Sequence, residues 1–320
     1  MKSRTAAVVE IPRRRVGVDV GRAARKPVDM GSPKVMFYCH DTYGLGHLRR
    51  TLTLARYVRE HTPSVSQLIV TGSPVAQSFA LPEGADYIKL PSVVKVGADE
   101  YEARSVSAPF SEIRDLRREI LLSAARHFRP DALIVDHAPT GLKGECIATL
   151  RYLKENAPNT RLILGLRDIM DEAAKVRKTW AREGVYELLD NVYDLILVYG
   201  NKDVYDIVEE YGLPSKAAAK THYVGYLGRE PGARSSSQVR AELNMRTDRL
   251  VVVTVGGGGD GHDILRTAMN ALRLRPEPVD FDCLLVGGPL MSAQDRDSLM
   301  ELADPHRGIH FLSFASDMTS

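Results

Sequence analysis

Lys34-Val35-Met36-Phe37-Tyr38-Cys39-His40-Asp41-Thr42-Tyr43-Gly44-Leu45-Gly46-His47 carries an apolar run, then a glycine-bearing loop, and leads into a helical pattern from Leu48 to Val58. The run Val35 to Tyr38 is continuously apolar rather than alternating, which predicts a strand covered on both faces, as in a parallel sheet flanked by helices. The same rhythm continues outward. Gln67 to Thr71, Tyr87 to Leu90, Ala132 to Val135, Arg161 to Leu166, Asp194 to Tyr199 and His222 to Leu227 read as further strands. Between them Glu112 to Phe128, Gly144 to Asn156 and Asp171 to Leu189 read as helices, the first with Ile113, Leu116, Ile120, Leu121, Ala124 and Phe128 at helical spacing. Gly228 to Ser237 (GREPGARSSS) is polar and aperiodic, the composition of a linker. Beyond it the alternation restarts, with strands at Leu250 to Val255, Cys283 to Val286 and Ile309 to Leu312 and helices at Asp263 to Leu274 and Ser292 to Leu302. The fold class predicted is α/β, with two Rossmann-like doubly wound domains, the second holding about half the usual strands and so read as truncated.

Composition narrows the classes of function. At 320 residues the chain has room for two α/β cores, and 44% apolar with 26% charged residues is an ordinary globular balance. A formal net charge of +2 is too small to argue for a nucleic-acid groove. Cys39, Cys146 and Cys283 lie far apart, each in or beside an apolar run, which suits buried thiols rather than a zinc site or a disulfide framework. No apolar stretch approaches the roughly 20 residues that span a bilayer, and no hydrophobic signal core opens the chain, so the expected location is the cytoplasm. Residues 1–32 hold Arg13, Arg14, Arg15, Arg22, Arg25 and Lys26 against Glu10, Asp19 and Asp29, without periodicity. They read either as a disordered, solvated tail or as a basic arm that touches anionic headgroups at the inner face of a membrane.

Four groups of residues could carry chemistry. Gly44, Gly46 and His47 fall where the first strand meets its helix, and ligands of open α/β sheets bind at that edge. The glycines allow a tight turn and close approach, and the helix start offers unpaired N–H groups to an anion. Gly256-Gly257-Gly258-Gly259-Asp260-Gly261 repeats the arrangement between a later strand and helix. Gly256, Gly258 and Gly261 formally fit a dinucleotide fingerprint, but the next strand ends Val286-Gly287-Gly288-Pro289 without the acid that would hold a ribose. No Gly-Lys-Ser/Thr follows either, which excludes a P-loop. A cradle for a diphosphate remains, against a merely structural turn. Asp136 with His137, and Arg167 with Asp168, also fall at strand carboxyl ends and would line the same rim as His47. Asp280-Phe281-Asp282 and Asp295-Arg296-Asp297 mimic an acidic metal motif, but the first precedes its strand and the second lies in a helix pattern. Both read as surface charge, and no metal is expected.

With both glycine loops placed, the chain from about Lys34 onward resembles the GT-B glycosyltransferases of family 28, the MurG-like group. Gly44-Leu45-Gly46-His47 looks like the family's loop after the first strand, Val255 to Gly261 like its second-lobe phosphate loop, and Tyr223-Val224-Gly225-Tyr226-Leu227-Gly228 like the segment leading into its linker. The resemblance implies transfer of a sugar, a hexose or N-acetylhexosamine, from a nucleoside diphosphate, usually UDP, with neither cofactor nor metal. It implies an acceptor domain at 33–228, a linker and lead-in at 229–248, and a partial nucleotide-sugar domain at 249–320. The acceptor would be a hydroxyl compound carried by a lipid or a glycan, and nucleic acid is not an expected partner. On this reading His47 is the general base, and Asp136, with Asp168 as the alternative, is its orienting carboxylate. Gly44, Gly46, Arg167 and Asp168 face the acceptor, and Gly256 to Gly261 hold the diphosphate. The family's Gly-Gly-x-x-Thr-x-x-Glu helix would come after Ser320, and the first loop is poorer in glycine than in MurG-like proteins. A sugar-nucleotide 2-epimerase of the same fold, or a non-catalytic binding protein or inactive fragment lacking that helix, are the alternative readings.

Overall fold

The computed structural model describes residues 31–40, 44–97, 100–228, 232, 234–275, 279–315 and 318. The basic segment before residue 31, Asp41 to Tyr43 of the first loop, and residues 229–231 and 233 of the linker lie outside the described residues. The backbone divides into two units, 1–32 and 33–320, and every described helix and strand lies in the second.

In chain order the elements are β1 (Lys34–Cys39), α1 (Gly46–His61), β2 (Ser66–Thr71), β3 (Ala85–Lys89), β4 (Val93–Gly97), β5 (Glu100–Ala103), α2 (Phe110–Phe128), β6 (Ala132–Asp136), α3 (Ile147–Asn156), β7 (Arg161–Arg167), α4 (Ala173–Arg182), α5 (Val185–Asn191), β8 (Leu195–Tyr199), α6 (Ile207–Glu210), α7 (Ser215–Ala219) and β9 (Thr221–Tyr223). Then come α8 (Ser236–Glu242), β10 (Leu250–Thr254), α9 (His262–Arg273), β11 (Asp282–Val286), α10 (Ala293–Leu302) and β12 (Ile309–Leu312).

The larger sheet is parallel throughout, in the order β3-β2-β1-β6-β7-β8-β9. With the β4–β5 hairpin set aside this is doubly wound, and the winding reverses between β1 and β6. A crevice at the strand carboxyl ends is expected at such a reversal. Side chains alternate across β1: Met36 and Tyr38 enter one core with Leu133 and Val135 of β6, while Phe37 and Cys39 enter another with Leu48 and Leu52 of α1. Both faces are therefore apolar, which is why the run Val35–Tyr38 shows no polar alternation. The smaller sheet, β10-β11-β12, is also parallel and packs Leu265, Met269 and Leu299 of α9 and α10 against Cys283, Leu285 and Ile309.

Several expectations change. The helix read over Asp171 to Leu189 is two helices, parted at Gly184, whose φ is +65°. The hairpin β4–β5 and the short α6 and α7 were not legible, being too short for a period to show. The polar stretch read as linker runs into α8, started by a capping box in which Ser235 and Gln238 each bond the other's backbone N–H. Asp282 is not surface charge. It is fully buried, and it accepts from the backbone N–H groups of Arg246 (2.8 Å) and Thr247 (2.7 Å) and from His310 Nε2 (2.9 Å). The carboxylate anchors the chain entering β10 to the start of β11, a structural role, while Asp280 stays exposed beside Arg249.

The larger sheet also buries an ion pair. Arg117 of α2 reaches Glu145 through two 2.7 Å bonds, and Tyr38 donates to the same carboxylate at 2.5 Å, with both charged side chains wholly out of water. Arg117 Nη1 also donates to the Pro91 carbonyl (2.7 Å), so the network ties α2 to the ends of β1 and β3.

Candidate active site

The reversal between β1 and β6 brings together the two residues assigned to catalysis. α1 starts at Gly46 with no acidic residue in its first turn, and among the described residues no side chain caps its leading N–H groups at the sheet edge. One residue into that helix, His47 Nδ1 lies 2.6 Å from Oδ2 of Asp136, the last residue of β6. Arg50, one turn on, clasps the same carboxylate through Nε at 2.6 Å and Nη2 at 3.0 Å. Burial alone would raise the Asp136 carboxyl, but hydrogen bonds from His47 and Arg50, together with their charges, hold it down at about 2. It is therefore an anion at any physiological pH, able only to accept. That orients the imidazole: Nδ1 donates to Asp136, which leaves Nε2 as the nitrogen that can take up a proton. Nε2 has no hydrogen-bond partner among the described residues, and the His47 side chain retains 20% exposure against 3% for Asp136.

Arg50 is not among the residues that the sequence singles out, although its spacing of three from His47 was a usable signal, since such pairs share a helix face. Its guanidinium also lies 5.6 Å from the centre of the Tyr199 ring at the end of β8. Two more histidines crowd the pair. The His40 ring lies 4.5 Å and the His137 ring 5.3 Å from that of His47. Burial, and then the neighbouring histidines, push His40 well below the usual range. Burial, with the nearby charges of His47 and Arg167, takes His137 down to about 3. Both rings are thus neutral near pH 7. His137 also has φ +69°, and the Ala138 N–H returns to the Asp136 carbonyl at 3.0 Å across it. A three-residue turn on a positive φ is rare and strained, and such turns concentrate at functional sites.

The other assigned residues divide. Gly44 and Gly46 adopt no left-handed φ, so a tight turn is not their role, and no described residue lies within 4 Å of where a Cβ on either would stand. Arg167 is exposed at the end of β7 and acts on His137 through its charge. Asp168 does not join His47. Its carboxylate accepts from the Ile169 N–H (2.8 Å) and from Tyr226 Oη (2.8 Å), fastening the segment after β9 to the end of β7.

In the smaller sheet Gly256 to Gly261 does link β10 to α9, and Gly261 precedes that helix with no side-chain cap. The glycines serve two purposes. A Cβ on Gly258 would meet the Gly288 backbone nitrogen at 2.7 Å, and one on Gly288 would meet the Gly257 carbonyl at 2.2 Å, so the loops after β10 and β11 touch backbone to backbone. Gly261 is pressed against the Val255 side chain. Gly256 and Gly259 instead face open space, as a close-approaching ligand would require, and Asp260 is exposed beside them. Among the described residues no group of three His, Cys, Asp or Glu side chains could hold a metal ion, and no helix is long and apolar enough to cross a membrane.

No protein-family model matches the chain, and no curated protein matches it in sequence. Solved structures do. A protein described as a UDP-N-acetylglucosamine 2-epimerase from Listeria monocytogenes aligns with a TM-score of 0.55 at 11% identity, over 90% of this chain and 71% of that one. MnaA of S. aureus with UDP aligns at 0.52 and 11% identity, over 88% and 69%. UGT2 of Phytolacca americana with UDP-2-fluoroglucose and pterostilbene aligns at 0.51 and 13% identity, over 90% and 72%. At such identities the likeness is one of fold, and the fold of this chain is GT-B, built from Rossmann-like sheets.

Proposed function

We propose that the protein transfers a sugar from a nucleoside diphosphate, with UDP as the carrier, to a hydroxyl acceptor, in the manner of the MurG-like glycosyltransferases. The observation that carries this reading is the His47–Asp136 contact of 2.6 Å at the reversal of the larger sheet. His47 Nε2 takes the proton of the acceptor hydroxyl while its oxygen forms a bond to C1 of the sugar. The C1–oxygen bond to the diphosphate breaks, and the electron pair leaves with the diphosphate. Asp136 keeps the imidazole in the productive tautomer and stabilises the imidazolium that results. The amides at Gly256, Gly257 and Gly259, with the N-terminus of α9, are assigned to the departing diphosphate.

Titration calorimetry with UDP tests the donor half, and binding is expected. Product analysis with UDP-sugars tests the chemistry, and release of UDP that depends on an added hydroxyl acceptor is the expected result. The Listeria monocytogenes structure favours a second reading, a 2-epimerase. Incubation with UDP-N-acetylglucosamine alone separates the two, because only an epimerase would form the 2-epimer without a second substrate.

A further inference from the structure

At the carboxyl edge of the larger sheet, on the opposite side of β1 from Asp136, stands a cluster of cations that the dyad does not use. Register places Cys39, Thr71 and Lys89 side by side across β1, β2 and β3, and the ladder runs one step further, with the Gly72 N–H on the Cys39 carbonyl (3.1 Å) and the Leu90 N–H on the Thr71 carbonyl (2.8 Å). Ser92 is the hub. Its Oγ receives Lys89 Nζ at 2.7 Å and sits 3.3 Å from the Gly72 carbonyl, while its own carbonyl accepts the Arg104 N–H at 3.0 Å. Lys89 Nζ also donates to the Leu90 carbonyl. Arg117 reaches the same corner, with Nη1 2.9 Å from where a Cβ on Gly72 would stand.

Three features mark the corner as made for an anion. Arg117 is matched by Glu145, but the side chains of Lys89 and Arg104 make no ion pair among the described residues. Arg104 Nε and the oxygen of fully buried Ser73 are out of water and have no hydrogen-bond partner among the described residues. Lys89 is held down at about 8, first by burial and then by Arg117 and Arg104, with no carboxylate opposing them. Three cations against one carboxylate leave two positive charges, the complement of a phosphomonoester dianion.

The geometry points to an oxyanion-binding site at Lys89, Ser92 and Arg104 that takes a phosphate-type dianion. If the protein transfers sugar as proposed, the phosphate belongs to the acceptor; binding of the dianion itself does not depend on that reaction. The corner adjoins the dyad: a Cβ on Gly72 would fall 2.0 Å from the His40 carbonyl, and the His40 ring lies 4.5 Å from that of His47.

The test uses the full chain, with inorganic phosphate and methyl phosphate titrated separately by calorimetry and no nucleotide sugar present. A failure of transfer therefore leaves it unaffected. Both probes bind, and Lys89→Gln or Arg104→Gln each weakens them about ten-fold, the value of one charge-assisted contact. Lys89 lies at the surface with only its ammonium partly screened from water, and glutamine keeps a donor for Ser92, so K89Q is expected to fold like the wild type. Phosphate also raises the titration of Lys89, followed by NMR of 13C-dimethylated lysines, from about 8 toward that of a free lysine. Tighter binding of the ester assigns the site to a phosphate carried on a larger molecule, and equal binding to free phosphate. Wild-type protein that binds neither probe, or a double variant that binds them unchanged, overturns the assignment.

Discussion

His137→Asn should flatten the acid sensitivity of the fold. His137 is neutral in the folded protein because burial and the charges of His47 and Arg167 hold it at about 3, against 6.5 when the chain is unfolded. A base whose folded value is depressed stabilises fully above the unfolded value and loses that contribution as pH falls toward the folded one. The window is therefore pH 6.5 down to about 3. Two pH units into it, at pH 4.5, each unit counts about 1.4 kcal/mol, so His137 removes up to about 3 kcal/mol of stability. His40 adds to the same trend, since it too is held below the usual range. Asparagine tolerates the φ of +69° better than most residues and does not titrate. Urea unfolding of wild type and H137N at pH 7 and pH 4.5 gives four stabilities. The loss between the two pH values should be smaller in the variant by up to about 3 kcal/mol. Equal losses in the two proteins would refute the claim that His137 is held neutral by the fold.

Other outcomes rest on the same contacts. Asp136→Asn would let the imidazole adopt the wrong tautomer, and turnover should fall by roughly 10³–10⁴-fold, with UDP affinity kept; a kcat within a few-fold of wild type removes the orienting role. Glu145→Gln leaves the Arg117 charge buried without its partner, at a cost of roughly 3–5 kcal/mol in urea unfolding. A loss below about 1 kcal/mol would mean that water reaches the pair. Gly288→Ala drives a methyl into the Gly257 backbone and should cost at least about 1–3 kcal/mol. Gly259→Ala meets nothing and should spare stability while weakening UDP in calorimetry. If both alanines behave alike, the division of the loop into packing and ligand-facing glycines is wrong.

The parallel core was readable because its strands are buried on both faces, so Val35–Tyr38 and Ala132–Val135 stand out as unbroken apolar runs. Strand carboxyl ends then located His47 and Asp136 on one rim, and the strand order made them partners. Arg50 escaped because a lysine or arginine on an exposed-looking helix face is ordinary, and only the carboxylate across the crevice gives it a role. Asp282 misled for the reverse reason. An aspartate just before an apolar run looks like solvent-facing charge until the segment Arg246–Thr247 is seen folding its N–H groups onto it. The corner at Lys89 could not be read from spacing, because Gly72, Ser92, Arg104 and Arg117 meet only through tertiary folding.

The proposed transfer depends on His47 acting as a base at the start of α1, so turnover of UDP-sugar by wild type and His47→Ala, measured beside UDP affinity, tests it most directly. Loss of about 10²–10⁴-fold in turnover with an unchanged Kd for UDP is the predicted result. Turnover that survives the substitution would contradict it.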